Sequence, residues 1–363
     1  MNHSLYYQWK ETIAKQMKGL SKPQCKLLAL VSFGVLLAQH CHLRLIAKFI
    51  PGDSEPKSKE ERIRNFLDNE RLTRSAFFAG WLAWAMKQFA KSRRITIIVD
   101  ETTIGNQFRA MMVSLAYKKR AVPLIFRCYR AQSSEGYPDE GQVQMIVDML
   151  RELLPHKPRD REVIVQADRG IGNSPNLCKA IASMGWFYCF RLPRNVKIHT
   201  DFGKLTPIEQ AKPGKGVKLS GTVFVSKGKV PADIRIWWDL GHAQPWILVT
   251  NHPRLNPKSY IKRNWIEQSF RDFKSNGFHL SECRLRSPEN IERLLMALTL
   301  AMGVAIHLGC YARYVLKKAR KRVKDGKLGW MGSVFKIGLY HFQDCIAPNE
   351  KLPRTHFFMP RRA

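Results

Sequence analysis

The chain has 363 residues, of which 45% are hydrophobic, so it is neither a disordered segment nor a charged tail, and it can bury two or three domain-sized cores. Lysine and arginine number 61 against 29 aspartates and glutamates, which gives a formal net charge of +32. This excess predicts a polyanionic partner, because neutralising phosphates releases counterions, although basic ribosome-like or membrane-surface proteins share such a composition.

Residues 1–92 are predicted to form a helical N-terminal domain. An apolar helical run at 24–39, a charged run at 59–68 and a run rich in Trp and Phe at 75–90 follow one another. A Pro-Gly pair at 51–52 breaks the chain between the first two runs. Such helices are typical of a small DNA-binding bundle of the helix-turn-helix type. The alternative is a helical cap that only buttresses the rest of the protein.

Residues 93–192 are predicted to form the first part of a mixed α/β core. Residues 95–100 are a β-branched run ending in Asp100, the pattern of a buried central strand with a carboxylate at its C-terminal edge. Strand-like segments at 111–117 and 122–129 follow after short turns and predict an antiparallel meander. A lone aspartate at a strand end is more often a turn residue or helix cap, so Asp100 needs partners.

Residues 162–170 repeat this pattern. A short apolar strand ends in Asp168, and a glycine two residues later permits a sharp turn. Helical periodicity precedes this strand at 142–154 and follows it at 173–184, where an N-cap and an early proline mark the helix start. Residues 186–191 predict a further strand.

The order three strands, helix, strand, helix, strand is that of the ribonuclease-H-like fold, a mixed sheet covered by helices. In that fold Asp100 and Asp168 lie at the ends of neighbouring strands, and a later helix packs across them. The predicted fold class is therefore α/β. Residues 93–192 and 259–310 are predicted to form a ribonuclease-H-like catalytic core, which residues 193–258 interrupt.

Residues 193–258 carry several strand signals separated by turn pairs such as Pro-Gly and Lys-Gly, which predicts a β-rich insertion. It contains Trp237, Trp238 and Trp246, any of which could stack on an extruded nucleic-acid base. The alternative is that they fill the small core of the insertion itself. Trp237 or Trp238 is the better candidate for facing outward, because adjacent residues of a strand point to opposite sides.

Residues 260–274 are predicted to form one amphipathic helix. At about 100° per residue, one narrow face carries a phenol, a carboxylate and two cations: Tyr260, Glu267, Arg263 and Lys274. An apolar stripe anchors the helix: Ile266, Phe270 and Phe273. The carboxylate could hold a metal ion and the cations could hold phosphates. The alternative is that Glu267 only pairs with Arg263 or Arg271 on a solvated face, which contributes a few tenths of a kcal/mol.

Asp100, Asp168 and Glu267 would meet at one point in the predicted fold. Three clustered carboxylates repel one another unless a cation neutralises them. Oxygen ligands without a nearby histidine or cysteine suit hard ions, so Mg²⁺ is expected, with Mn²⁺ able to substitute. Two ions about 3.5–4 Å apart could clamp the attacking and leaving oxygens of an in-line phosphoryl displacement.

The spacing Tyr-x2-Arg-x3-Glu-x6-Lys that begins at Tyr260 resembles the signature of a large family of bacterial insertion-sequence transposases, the Asp-Asp-Glu cut-and-paste enzymes. The Ala-Asp-Arg-Gly segment at 167–170 is similar to that family's second-aspartate motif. The resemblance covers residues 96–308. Ile171 departs from it, since family members usually carry an aromatic residue there, and we expect this to alter packing more than chemistry.

The resemblance implies a catalytic triad that holds the metal ions: Asp100, Asp168 and Glu267. It also implies residues that grip the phosphates near the cleaved end: Tyr260, Arg263 and Lys274. Metal-activated water would attack at the 3′ ends of the element, and the freed 3′-hydroxyls would then attack target DNA. Some relatives pass through a hairpin on the element end, and the sequence leaves this open.

The implied partners are double-stranded DNA, namely terminal inverted repeats and target DNA, and a second copy of the chain, because two ends must be joined. One alternative is a structure-specific endonuclease on the same core, which would cut without strand transfer. Another is a catalytically inactive DNA-binding transposition inhibitor, against which the three intact carboxylates argue. The expected location is the bacterial cytoplasm, at the nucleoid.

The C-terminal part raises a membrane alternative, because residues 294–312 carry no formal charge and are long enough to span a bilayer. This stretch contains Gly303 and His307 and follows the helix that must reach the site, so a buried core helix and no membrane partner are expected. Residues 311–363 form a basic region that could contact DNA, help pair two subunits, or be a solvated face.

The eight cysteines include no Cys-x2-Cys pair, and the His-Cys-His cluster at 40–42 lacks the partner spacing of a zinc site. Isolated thiols are therefore expected, which indicates a reducing compartment. The first residues are polar, so no signal peptide is expected.

Overall fold

The computed structural model describes residues 3–131, 141–224, 228–316, 320–322, 328–330 and 332–346. Its helices are α1 (His3–Gln16), α2 (Lys22–Ala38), α3 (Leu43–Lys48), α4 (Pro56–Leu67), α5 (Arg74–Phe89), α6 (Gly141–Leu153), α7 (Arg169–Gly172), α8 (Pro175–Ser183), α9 (Asn264–Lys274), α10 (Pro288–Cys310) and α11 (Val334–Ile346). Its strands are β1 (Arg94–Ile104), β2 (Phe108–Tyr117), β3 (Arg120–Arg130), β4 (Glu162–Ala167), β5 (Phe187–Arg191), β6 (Ile198–Thr200), β7 (Gly203–Leu205), β8 (Gly216–Val223), β9 (Val230–Trp237), β10 (Trp246–Thr250), β11 (Arg320–Arg322) and β12 (Leu328–Trp330).

One large mixed sheet forms the centre of the described chain, in the order β3-β2-β1-β4-β5-β10-β9-β8-β6-β7. β4 is parallel to both β1 and β5, whereas β2 pairs antiparallel with β1 and β3. The predicted α/β class is confirmed. The predicted β-rich segment also forms strands, but they continue the central sheet, because β10 pairs antiparallel with β5.

Strand β1 is longer than the sequence analysis predicts. The expected strand ends at Asp100, whereas β1 runs to Ile104 because its last residues pair with β2, from Asp100–Met112 to Ile104–Phe108. Asp100 is therefore held inside an antiparallel ladder on one side. On its other side the parallel ladder with β4 has already ended, at the pair Ile98–Gln166.

The N-terminal helices pack on the sheet-bearing part of the chain. Ser21 and Gln24 form a capping box at the start of α2, and Thr73 caps α5. α2 packs against α10 and α5 packs against β3, and their apolar side chains belong to the same hydrophobic core as the sheet. This packing fits the helical-cap alternative, and DNA contact by these helices stays a prediction.

Helix α10 lies in the interior, where it packs against α2, β3 and α11. The helical span Pro288–Val315 has the length and composition of a membrane helix, but 83% of its most apolar window is buried inside the protein. A β-carbon on Gly309 would lie 1.7 Å from the carbonyl oxygen of Val334, so α10 and α11 cross in close backbone contact. About half of the predicted basic region, including 317–319 and 347–363, lies outside the described residues.

A buried ion pair fixes α9 against β3. Arg120, at the start of β3, donates to a carboxylate oxygen of Asp272 on α9, and these side chains are 11% and 3% exposed. Beside the pair, Ser269 accepts the backbone N–H of Ala121 at 2.8 Å. The position of α9 over the sheet therefore depends on polar contacts that burial makes costly to break.

Asp272→Ala is expected to lower the free energy of unfolding by about 3–5 kcal/mol, because it leaves the buried charge of Arg120 without its partner. The double variant Arg120→Met/Asp272→Leu should recover most of this loss, since apolar side chains of similar size can replace a buried ion pair. Urea unfolding followed by circular dichroism measures both. A double variant as unstable as the single one would contradict this account.

Candidate active site

Parallel pairing of β1 with β4 brings Asp100 and Asp168 side by side. The ladder ends at Ile98–Gln166, and each aspartate lies two residues further along the chain. Because side chains alternate along a strand, both carboxylates leave the sheet on the face that Ile98 and Gln166 occupy. Asp168 follows directly after β4, so the second expected strand-end aspartate is at a strand end.

Each aspartate binds the backbone through one oxygen and presents the other. Asp168 is the N-cap of α7, and its Oδ1 accepts the N–H groups of Gly170 at 2.9 Å and Ile171 at 3.1 Å. Asp100 accepts the N–H of Glu101 through Oδ1 at 2.9 Å. The capping alternative is therefore correct for Asp168, but the cap also orients Oδ2 toward the face that it shares with Asp100.

The segment predicted as one helix is divided in two. Residues Pro257–Arg263 form a 3-10 helix, and α9 begins at Asn264. The predicted apolar stripe is confirmed within α9, since its members are buried: Ile266, Phe270 and Phe273. The predicted rotation of about 100° per residue is wrong for residues 260–263, because a 3-10 helix winds more tightly than an α-helix.

Tyr260 is buried beneath this segment and is not on an open face. Its side chain is only 3% exposed, and its hydroxyl donates to the carbonyl oxygen of Ala167 at 3.0 Å. Tyr260 thus ties the 3-10 helix to the end of β4, next to Asp168. The sequence analysis expects Tyr260 to grip a phosphate, whereas here it makes an internal positioning contact.

The guanidinium of Arg263 joins the three carboxylates. Its Nη2 lies 2.9 Å from Oδ2 of Asp100 and 3.6 Å from Oδ2 of Asp168. Its Nη1 donates to Oε1 of Glu267, in the first turn of α9. The arginine side chain is 13% exposed, whereas that of Glu267 is 46% exposed. Asp100, Asp168 and Glu267 therefore share one partner, Arg263, which lies between them rather than beside them.

Burial and crowding disfavour ionisation of Asp100. Burial raises its pKa to about 6, and Asp168 and Glu267 act in the same direction, while Arg263 and the N–H of Glu101 oppose them. Burial acts to lower the pKa of Arg263, but the surrounding negative charge, with Asp100 foremost, outweighs it and raises that pKa. Three carboxylates thus face one guanidinium, and the cluster carries excess negative charge.

These carboxylates could hold a hard divalent ion. All the side chains that meet at the centre other than Arg263 offer carboxylate oxygens, which Mg²⁺ and Mn²⁺ prefer to softer donors. Glu267 and Asp168 remain open enough to reach solvent, with side chains 46% and 40% exposed.

Arg191 is a site residue that the sequence analysis missed. The parallel ladder of β4 with β5 ends at Ala167–Phe190, so the next residues, Asp168 and Arg191, are lateral neighbours on one face. Burial lowers the pKa of Arg191, and nearby Arg263 acts in the same direction. The sequence does carry a signal for Arg191, because the predicted strand 186–191 ends in a charged residue, as the strands before Asp100 and Asp168 do.

Lys274 lies in the last turn of α9, about two turns from Glu267. Its Nζ is 3.3 Å from Oγ1 of Thr103, near the end of β1. Burial lowers the pKa of Lys274. Thr103 lies three residues beyond Asp100 on β1. Lys274, which contacts Thr103, is therefore outside the carboxylate cluster, although it is on the same helix as Glu267.

Two of the three tryptophan candidates lie on the carboxylate face. Trp237 and Trp246 are opposite each other across β9 and β10, and the ring of Trp246 is 5.4 Å from that of Tyr260. Trp238 follows β9, and its Nε1 donates to the carbonyl oxygen of His242 at 2.8 Å. The sequence analysis prefers Trp237 or Trp238 as the outward residue, whereas the sheet register groups Trp237 with Trp246.

A histidine–glutamate group lies away from this centre. His40 and His279 stack with ring centroids 4.7 Å apart, and both face Glu282, at 3.4 Å and 3.1 Å. The local spacing at 40–42 could not reveal these distant partners. The N–H of His42 donates to Nδ1 of His40, so the neutral ring carries its proton on Nε2, toward Glu282. That tautomer favours a hydrogen-bonded link over metal ligation through Nε2.

Residues 92–303, more than half of the chain, match the family described as Transposase DDE domain. No curated protein matches the chain. The matched region contains the whole carboxylate cluster: Asp100, Asp168, Arg263 and Glu267.

Arg263→Met should lower the free energy of unfolding by about 1–3 kcal/mol in EDTA, because it leaves three carboxylates facing one another without the cation between them. Millimolar Mg²⁺ should then raise the melting temperature of this variant more than that of the unaltered protein, since the ion need not displace a guanidinium. Differential scanning fluorimetry measures both effects.

Arg271→Met is the matched control, because Arg271 is an exposed arginine on the same helix. It should show the same Mg²⁺ response as the unaltered protein. Equal Mg²⁺ shifts for Arg263→Met and Arg271→Met would contradict the idea that Arg263 occupies the cation position.

Proposed function

We propose that this chain, which belongs to the DDE transposase family, cleaves DNA at the ends of a bacterial insertion sequence and joins those ends to target DNA. The observation that carries the proposal is the meeting of Asp100, Asp168 and Glu267 around one cationic centre. Two strands and one helix supply them, so the backbone holds the group together before any substrate binds. Such a cluster suits displacement at phosphorus, where charge must be neutralised.

A ribonuclease-H-like core is part of this proposal. Along the chain β1, β2, β3, α6, β4, α8 and β5 follow one another, which is the element order expected for this fold. In the sheet these strands lie in the order β3-β2-β1-β4-β5, with β2 antiparallel to β1 and with β1, β4 and β5 parallel. α9 packs on β1, β2 and β3 and carries Glu267 across the sheet. These features support the fold assignment that the family membership makes plausible.

Mg²⁺, or Mn²⁺ in its place, is the proposed cofactor of Asp100, Asp168 and Glu267. When bound, a metal ion activates a water molecule and offsets the charge of the reacting phosphate. The chain contributes orientation: the α7 cap fixes Asp168, the β1–β2 ladder fixes Asp100, and the Arg120–Asp272 pair fixes the helix of Glu267.

The cations around the centre would bind DNA phosphates. Once another cation neutralises the carboxylates, their attraction for Arg263 weakens. Its guanidinium can then bind a DNA phosphate, as its position in the sequence motif predicts. Arg191 flanks Asp168, and Lys274 extends the basic surface along α9. Trp237 and Trp246, on the same face of the sheet, are the better placed candidates for stacking on an extruded base.

The proposed partners are double-stranded DNA and a second copy of the chain. The net charge of +32 supports a polyanionic partner. Two element ends have to be held together for joining, so a homodimer in the DNA complex follows from the reaction. The proposed location is the bacterial cytoplasm, in contact with the nucleoid, without a membrane partner.

Glu267→Gln should leave binding of an element end intact and reduce its cleavage by on the order of 10³-fold, because an amide cannot supply the negative charge that holds a divalent ion. The assay incubates a labelled duplex carrying the inverted repeat with protein, Mg²⁺ and target DNA. Glu209→Gln, an exposed glutamate in the β-rich segment, is the control and should cleave normally.

The products distinguish the alternatives. Cleavage followed by joining supports the transposase, nicking without joining indicates an endonuclease, and binding without nicking indicates a transposition inhibitor. Cleavage by Glu267→Gln at the unaltered rate would contradict the role of this carboxylate.

A further inference from the structure

The β2–β3 hairpin turns through two lysines in an unfavourable backbone conformation. Lys118 and Lys119 connect Tyr117 to its partner Arg120, with φ angles of +48° and +64°. A two-residue hairpin turn with both φ angles positive normally uses Asn-Gly or a similar pair, because other L-residues are disfavoured there. Strain of this kind that persists in a folded protein often marks a functional site.

The two lysines border a cleft of about 380 Å³. Its charged lining residues are all cations: Arg94, Lys118, Lys119, Lys262 and Arg313. Its aromatic lining residues are Phe89, Tyr117, Trp265 and Tyr314. A cleft with cations, aromatic walls and no carboxylate in its lining has the composition of a nucleic-acid-binding surface.

The lysines of the cleft form no ion pairs with carboxylates in the described part of the chain. In the described part of the chain, no carboxylate oxygen lies within 4.0 Å of Lys118, Lys119 or Lys262. Lys118 Nζ lies 4.6 Å from the ring centre of Tyr314, and Lys262 Nζ is 3.3 Å from Oγ1 of Thr96. Burial lowers the pKa of Lys262 and nearby Arg94 adds to the effect, so a bound anion would relieve the repulsion.

One wall of the cleft, formed by Thr96 and Lys262, lies on the carboxylate face of the sheet. Thr96 and Asp100 are four residues apart on β1, so their side chains share one face at a separation of about 13 Å. Lys262, which contacts Thr96, directly precedes Arg263, which contacts Asp100. Successive base pairs of DNA rise by about 3.4 Å, so this separation, which applies to Lys262, corresponds to roughly four base pairs. Lys118 follows Met112, the β2 partner of Asp100, by six residues, which is about 20 Å or roughly six base pairs.

We propose that this cleft binds the phosphodiester backbone of DNA roughly four to six base pairs from the phosphate held at the carboxylates, with Lys118 and Lys119, at the far end, as the principal contacts and Lys262 as a third. This inference rests on the proposed function, because it takes DNA to be the substrate at the carboxylates. The strained turn is explained by it, since Asn-Gly would relax the backbone but remove both charges.

The double variant Lys118→Asn/Lys119→Gly should change DNA affinity and protein stability in opposite directions. Its melting temperature should rise by a few degrees, because the turn receives its preferred residues. Its affinity for DNA should fall, and the slope of log K against log salt concentration should decrease by about 1.8, or about 0.9 for each lost phosphate contact. Fluorescence anisotropy with a short labelled duplex in EDTA measures this without catalysis.

Two further variants serve as controls. Lys118→Arg/Lys119→Arg keeps the charges in the same strained turn and should retain the unaltered salt slope. Lys197→Asn/Lys204→Asn removes two exposed lysines near β6 and β7, at the opposite edge of the sheet, and should change the slope by less than half a unit. If this edge variant lowers the slope as much as the turn variant, net charge explains the binding and the cleft proposal is overturned.

A turn variant that binds DNA with the unaltered salt slope would also overturn the proposal, whatever its stability. The proposal would also be overturned if the turn variant weakened binding of a free mononucleotide but left binding of the duplex unchanged. Neither result affects the cleavage assay on Glu267→Gln, so the cleft can fail while the proposed transposase function stands. Failure of the unaltered protein to bind any duplex would instead remove the proposed function.

Discussion

The stability of the site depends on neutralising the mutual repulsion among Asp100, Asp168 and Glu267. Three carboxylates at one point are unstable without a cation, and the guanidinium of Arg263 supplies one positive charge among them. The chain therefore folds with its own cation in the place proposed for a divalent ion. Arg263 ends a 3-10 helix held by Tyr260, so a short, well-anchored segment carries the group that metal and DNA would have to displace.

The carboxylate positions follow from backbone pairing rather than from the site itself. Parallel registers place Asp100, Asp168 and Arg191 in a row across β1, β4 and β5. The helix that carries Glu267 is docked independently, by the Arg120–Asp272 pair. Because separate elements set each position, a substitution at one carboxylate should leave the others in place, which makes single variants of this site informative.

The sequence predicted the features that rest on local pattern. The apolar runs before Asp100 and Asp168 identified both strands, and the stripe Ile266, Phe270 and Phe273 identified the buried side of α9. It could not predict features that depend on distant pairing: the extension of β1 along β2, and the continuation of the sheet through β10. Arg191 follows the same strand-end pattern as the two aspartates. The lysine turn was missed because its residues contradict the usual hairpin preference.

The change of helix type at Asn264 explains the uneven gaps between Tyr260, Arg263 and Glu267. A 3-10 helix repeats every three residues, so a gap of two residues returns Arg263 to the side of Tyr260, over the end of β4. An α-helix repeats every 3.6 residues, so a gap of three aligns Glu267 with Arg263. Adding or removing one residue in either gap would rotate one side chain by about 100–120° away from its neighbours. Over evolutionary time, such a segment should accept exchanges of residue type more readily than changes of length.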